Sequence, residues 1–302
     1  MSIYVEGLII LTGINIMLGL GYWLTANTNQ FSLGHAGFMS IGAYSSSLLT
    51  LHFGWPLAAA MLIGGLAAAV AGVLVGLPGL RLSMLHLAMV TLAFAQLVQI
   101  GFSTWEYMGG TSGLAGMEGT TLPLVVATTL ATLAGAWMLS RSRLGLESIA
   151  VREDELAASA AGLNIVRLKV ATFGASAYVT GVAGALLGHY LRYIQPSSFN
   201  VAQSVVIILF VVFGGLYTFW GPVVGAIVLT LLPEYSDLVK GYYLFFYGGL
   251  MVLLMIVRPQ GLIQPRRFIG QRRGRPPMAL GRIGSMLRER ALKSDSRTGP
   301  LS

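Results

Sequence analysis

The chain contains no cysteine. That absence excludes disulfides, metal–thiolate sites and cysteine nucleophiles together. Charge is scarce as well: Asp, Glu, Lys and Arg make up 10% of the 302 residues, where an ordinary globular domain carries about a quarter. Apolar residues supply 55% and fall in runs long enough to cross a bilayer. The composition is that of an all-α polytopic integral membrane protein. Signatures of enzymes are missing too. There is no Gly-x-Ser-x-Gly and no His-Glu-x-x-His, and Gly109-Gly-Thr-Ser-Gly113 has neither the lysine nor the preceding strand of a phosphate loop. No basic head precedes the first apolar run, so Ser2–Ala26 reads as a retained anchor rather than a cleaved signal.

The net charge of +8 does not describe the body of the chain. Residues 258–302 hold eleven basic and two acidic side chains, a balance of +9 that leaves −1 for everything before them. A basic tail beside a membrane meets anionic lipid, so membrane lipid rather than nucleic acid is the expected contact. Within it Arg266–Pro277 is rich in Pro, Gly and Arg, the composition of a disordered segment. Leu280, Ile283, Leu287 and Ala291 then recur at helical spacing; a surface-lying basic helix and plain disorder both fit.

A span needs roughly 20 apolar residues. The candidates are Ile3–Ala26, Leu33–Phe53, Leu57–Leu77, Ser83–Ser103, Leu122–Leu139, Val170–Leu191, Val201–Phe219, Pro222–Val239 and Gly241–Val257. The expectation is thus about 8–10 transmembrane helices. Leu33–Phe53 and Pro222–Val239 carry enough Gly or Pro to be discontinuous or re-entrant. Nine crossings put the N-terminus outside and the tail inside. Seventeen of the nineteen Lys and Arg residues then lie inside, and only Arg192 and Lys240 outside, as the positive-inside rule requires. The domain reading is a transmembrane body over 1–258 and a basic cytoplasmic tail over 259–302.

One dense patch of charge interrupts the oil. Residues 141–169 hold five basic and four acidic side chains, too costly to place in hydrocarbon. The patch therefore forms a cytoplasmic loop on which a partner can pull. Acidic residues at 153–155, alanines at 157, 158 and 161, and Gly162 predict a short helix from about Glu153 to Ala161. Ala157, Ala158 and Ala161 should offer a smooth face to a partner.

Two stretches hold polar groups within apolar runs. The first, Phe31–Tyr44, has Ser32, Gly34, His35, Gly37, Ser40, Gly42 and Tyr44. It reads either as a tightly packed helix with a hydrogen-bonded core histidine or as a broken segment lining a substrate path. The second carries His86, Thr91, Gln96 and Gln99, read either as interhelical hydrogen bonds or as a stripe facing a path. Repeats at Gly72/Gly76, Gly184/Gly188 and Gly221/Gly225 have the spacing of close helix contacts. Thr104–Thr121 reads as a flexible outer loop. Apart from Glu6, and from Glu234 and Asp237 at the far end of the Pro222–Val239 candidate, the Asp, Glu, Lys and Arg residues outside the central loop and tail lie in connections. An ion-coupled carrier loses support, because such carriers bury a carboxylate or build an ion site. A pump of this composition must draw its energy from a partner.

The stretch Gln30-Phe-Ser-Leu-Gly-His-Ala-Gly-Phe-Met-Ser-Ile-Gly-Ala-Tyr44 resembles the LivM-type permease of bacterial branched-chain amino acid ABC importers. Val90–Phe94, Gly109–Leu114, Arg152–Asn164, Gly181–Leu186, Gly214–Pro222 and Arg258–Leu262 resemble the same family in order, over about residues 10–263. One departure is Asn29 where the family has Gly, which stiffens that turn. The resemblance implies a subunit paired with a homologous second permease subunit, driven by two cytoplasmic ATPase subunits and fed by an extracytoplasmic substrate-binding protein, in the bacterial inner membrane. It implies no cofactor or metal in this chain, with ATP used by the partners. Such permeases dock their ATPase through Glu-Ala-Ala-x3-Gly, which Ala157-Ala158-x3-Gly162 matches with Glu155 one residue early. Arg152, Glu153, Asp154, Glu155, Ala157, Ala158 and Gly162 are therefore the expected coupling residues. Ser32, Gly34, His35, Gly37, Gly42, Tyr44, Thr91 and Gln96 are the expected substrate path. Related permeases serve urea, amides or aromatic acids, and a membrane enzyme using His35, His86 or His189 is the rival from another class.

Overall fold

In hydrocarbon a chain has no water to bond its N–H and C=O groups, so long apolar runs become helices, which satisfy those groups locally. The computed structural model describes residues 3–79, 84–235, 243–258 and 261–263. Among them run α1 (Ile3–Ala26), α2 (His35–Phe53), α3 (Leu57–Gly79), α4 (Met84–Thr104), α5 (Leu122–Arg141), α6 (Arg143–Glu153), α7 (Glu155–Ala160), α8 (Ile165–Leu191), α9 (Val201–Gly214), α10 (Trp220–Leu231) and α11 (Tyr243–Val257). A two-residue antiparallel ladder joins β1 (Leu114–Ala115) to β2 (Tyr193–Ile194). The fold is the expected all-α membrane protein. The turn at Arg81, the connection at Lys240 and the basic tail from 264 onward lie outside the described residues.

Six described segments are long and apolar enough to cross a membrane: α1, α3, α4, α5, α8 and Pro196–Gly214, which extends α9 by a 3-10 turn. The two segments suspected of re-entry differ from these. α10 has 12 residues and rises about 18 Å, short of the roughly 30 Å hydrocarbon core. α2 has 19 residues, enough to span, but is too polar to stand among the six.

α8, with 27 residues, is the hub; it packs against α3, α2 and α1. Its glycines allow backbone to meet backbone. A Cβ at Gly42 of α2 would land on the Gly181 carbonyl, and one at Gly184 on the Met39 carbonyl. The other repeats behave alike: Gly72 faces Ala177 of α8, while Gly221 and Gly225 seat α10 on α9. α1 packs on α8, α10, α5 and α9.

The loop Thr104–Thr121 is not the flexible segment its glycines suggest. Gly109, Gly110 and Gly113 take positive φ, and β1 pairs with β2. The Tyr193 hydroxyl donates to the Ser112 carbonyl at 2.9 Å, Thr120 donates to the Leu186 carbonyl at 3.0 Å, and Met117 is fully buried. The glycines serve a fixed, folded path.

Candidate functional site

The connection between α5 and α8 is a folded unit rather than a loop with one helix. Ser142 caps α6 by accepting from the Gly145 N–H, and Asp154 caps α7 by accepting from the Ala157 N–H at 2.9 Å. Gly162, at φ 85°, closes α7, with the Leu163 N–H reaching back to the Ala158 carbonyl at 3.2 Å. Asn164 then caps α8 through the Arg167 N–H at 3.0 Å. Side-chain caps contribute about 1 kcal/mol each. Beneath them lies a small core of Val151, Ala158 and Leu168. The predicted helix over 153–161 is therefore α7, shorter by two residues at its start and one at its end, and α6 precedes it. Asp154 and Gly162 are its two stops.

Arg152 is not part of a solvated charge run. Its side chain is only 13% exposed, against 71% for Glu153 beside it. Its Nη1 donates to Asn27 Oδ1 at 2.9 Å, and its guanidinium lies 4.8 Å from the Tyr217 ring centre. One side chain thus touches the α1–α2 turn and the α9–α10 corner. A second tie runs beside it. Lys169 Nζ donates to Glu155 Oε1 and Oε2 at 2.9 and 2.8 Å, fixing α7 against the first turn of α8. The Lys169 carbonyl and Thr172 Oγ1 each accept from Gln30 Nε2 at 3.2 Å.

The turn these groups grip is itself well defined. Asn29 takes φ 57°, and the Gln30 N–H reaches the Thr25 carbonyl at 3.1 Å, a left-handed helix stop. Asn is among the few residues other than Gly that tolerate that conformation, which accounts for Asn at the position where a Gly was expected. The α9–α10 corner is held as well: the N–H groups of Leu262 and Ile263 donate to the carbonyls of Phe213 and Gly214 at 3.0 and 2.9 Å.

Of the expected smooth face, Ala157 and Ala161 are exposed, but Ala158 is turned into the small core. The exposed surface is completed by Ala160 and by Leu156, which is 84% exposed. An open depression of about 510 Å³ adjoins it, lined in part by Glu155, Ser159, Leu163 and Lys169. Sequence reasoning missed Leu156, Asn27, Gln30 and Tyr217. Leu156 was legible as a lone large apolar residue between acids and alanines. The other three carry no local signal, since the contacts that tie them to Arg152, Lys169 and Thr172 span 65 or more positions of the chain.

The expected path residues on α2 and its lead-in are closed inside the subunit. Ser32, His35, Tyr44 and Thr91 have no exposed surface. His35 Nε2 pairs with Ser176 Oγ at 3.0 Å, and Thr91 Oγ1 accepts from the Leu33 N–H at 3.0 Å. Gly34 and Gly37 pack against Thr91 and Ala95 of α4, and Gly42 against α8. Of the eight residues, Gln96 alone is not buried. His189 is buried between the Ala185 carbonyl, 2.9 Å from Nδ1, and Thr50 Oγ1, 3.0 Å from Nε2, and His86 lies on the exposed surface. A cavity of about 540 Å³ opens between α1, α3, α5 and α8. Its lining includes Thr128, Thr132 and Tyr178 but no charged side chain.

The chain matches, over residues 4–255, the family described as branched-chain amino acid transport system / permease component. It is 33% identical to the high-affinity branched-chain amino acid transport system permease protein LivM of Escherichia coli K12, and 32% identical to LivM of Salmonella typhimurium. Each match covers 85% of this chain and 69% of the relative. The ribose import permease protein RbsC of Escherichia coli K12 is 24% identical over 82% of both chains. LivH of the same strain, a second branched-chain amino acid permease protein, is 29% identical over 46% of this chain and 45% of its own. No solved structure matches. The chain belongs to the family of branched-chain amino acid transport permease components.

Proposed function

We propose that this permease component forms half of the translocation path of an ATP-driven importer for branched-chain or related small amino acids. It sits in the bacterial inner membrane with a second, homologous permease subunit. Its N-terminus lies outside, and α6, α7 and the basic tail lie in the cytoplasm, where two ATPase subunits dock. A binding protein outside delivers the substrate and sets its identity; the ligand that co-purifies with that protein tests the substrate class.

In this reading α7 is the handle. Leu156, Ala157, Ala160 and Ala161 present an apolar, small-residue surface that an ATPase groove can cover. Closure of the ATPases displaces α7 as a body, because its caps and the Lys169–Glu155 pair tie it to α8. The observation that carries the reading is Arg152, which passes the displacement to the α1–α2 turn through Asn27 and to the α9–α10 corner through Tyr217. Four membrane helices then tilt together, which is what alternating access needs.

The test is the importer reconstituted with its ATPases and binding protein. Arg152→Gln removes a hydrogen bond to a charged group, a contribution of about 1.5–3 kcal/mol, and the cation–π contact. It should abolish uptake while ATP hydrolysis and subunit association persist. Arg143→Gln, at an exposed position of α6 outside these contacts, should leave all three unchanged. Normal uptake by Arg152→Gln would show that the stroke does not pass through this side chain.

A further inference from the structure

Helix α4 divides into three faces. Leu87, Ala88, Thr91 and Ala95 are buried against the rest of the subunit. Leu85, Met89, Leu97 and Ile100 are 57–74% exposed, the face a lipid tail or an apolar helix would cover. Between these two faces runs a flank on which Gln96, Gln99 and Ser103 follow at spacings of three and four residues, one above another. Gln96 lies just past the middle of the 21-residue helix, and Ser103 in its last turn.

Both glutamines are half-buried, and neither side chain hydrogen-bonds to any described residue. Ser103 satisfies itself by donating to the Ile100 carbonyl at 2.8 Å. Gln203, in the first turn of α9 against which α4 packs, is likewise half-buried with no side-chain partner among the described residues. A carboxamide offers two donors and an acceptor. Near mid-membrane, hydrocarbon can answer none of them. Three other carboxamides of the described body are paired, although the Ser40, Tyr44 and Thr180 hydroxyls are buried without a partner: Asn15 donates to Thr230 Oγ1, Asn27 accepts from Arg152, and Gln30 donates to Thr28 and Thr172.

We infer that the α4 flank bearing Gln96 and Gln99 is a wall of the water-filled translocation path, running from mid-membrane to the outer end of the helix. The inference rests on the permease reading above and moves the path from the sealed α2 segment to α4. The matching surface of the second permease subunit supplies the opposite wall. Water, and a small zwitterionic solute in transit, satisfy the two carboxamides. α2 stands behind α4 as its support, through Gly34 and Gly37.

The chain has no cysteine, so single cysteines report water at chosen depths. In the reconstituted importer, Gln96→Cys and Gln99→Cys should react with a charged, membrane-impermeant methanethiosulfonate about tenfold or more faster than Leu97→Cys and Ile100→Cys, since only a hydrated thiol ionises readily. Modification at Gln99→Cys should block uptake. Leu92→Cys, on the same flank with both carboxamides kept, repeats the test if a glutamine variant fails to assemble. Equal rates on the flank and on the apolar face would overturn the inference, as would no reaction on the flank. If uptake and its Arg152 dependence persist in that event, the path is misplaced while the permease reading stands.

Discussion

Helices α2 and α5 are of nearly equal length, 19 and 20 residues, and opposite in character. α5 is apolar enough to span alone, yet only Val125 and Ala136 on it are buried. α2 carries two histidines, four serines and a threonine, and eleven of its residues are buried, among them His35, Ser40, Ser46 and Ser47. The polar helix is the inside helix. Lipid tails are as apolar as leucine, so hiding a leucine gains little. Hiding His35 gains a hydrogen bond to Ser176, and hiding a small residue such as Gly42 gains close backbone approach. In the capped α6–α7 unit the ordinary rule returns: Val151 and Leu168 are buried, and Glu153 is out.

The largest test of that contrast is Gly42→Leu. Its Cβ alone would collide with the Gly181 backbone, so α2 and α8 must separate, at a cost of about 3 kcal/mol or more. We expect little folded protein in the membrane fraction and early aggregation on heating in detergent. A stable Gly42→Leu protein would break the claim that this contact organises the bundle.

Ser176→Ala adds no bulk and removes the partner of His35 Nε2. A buried polar group left unpaired costs about 1–3 kcal/mol. The melting temperature should fall, whereas Thr128→Val on half-buried α5 should not lower it. If the two variants melt alike, polarity is not what marks the interior.

For the α6–α7 unit the discriminating pair is Ala158→Trp and Ala157→Trp. Ala158 packs on Val151 and Leu168, so Trp there overfills the core, costing about 1–3 kcal/mol, and proteolysis in this connection should speed up. Ala157 is exposed; Trp there should leave proteolysis unchanged and weaken co-purification of the ATPase. The reverse pattern would exchange the two faces of α7.

The smallest effect is expected at Gly135 on α5, where an added Cβ meets nothing within 4 Å. Gly135→Leu should be neutral or stabilise by up to about 1 kcal/mol, the gain in helix propensity. Measurable loss of folded protein would mean that α5 is not lipid-facing.

Much of this was legible beforehand because it depends on neighbours in the chain. Apolar runs of about 20 residues become helices wherever they pack, and the charge at 141–169 cannot enter hydrocarbon. Asp154 and Gly162 stop α7 through bonds within four or five residues. What only the tertiary structure decided is which face of each helix meets which neighbour. Arg152 reads locally as one charge among four, yet it lies 125 positions from the Asn27 it holds. Ala158 differs from Ala157 solely by the direction its Cβ takes. The same holds for α2 and α4: their polar residues look alike in the sequence, but His35 and Thr50 of α2 find partners on α8, while the side chains of Gln96 and Gln99 find none among the described residues. A side chain's composition sets the cost of leaving it unpaired. Whether a partner arrives is set by contacts between segments far apart in the chain.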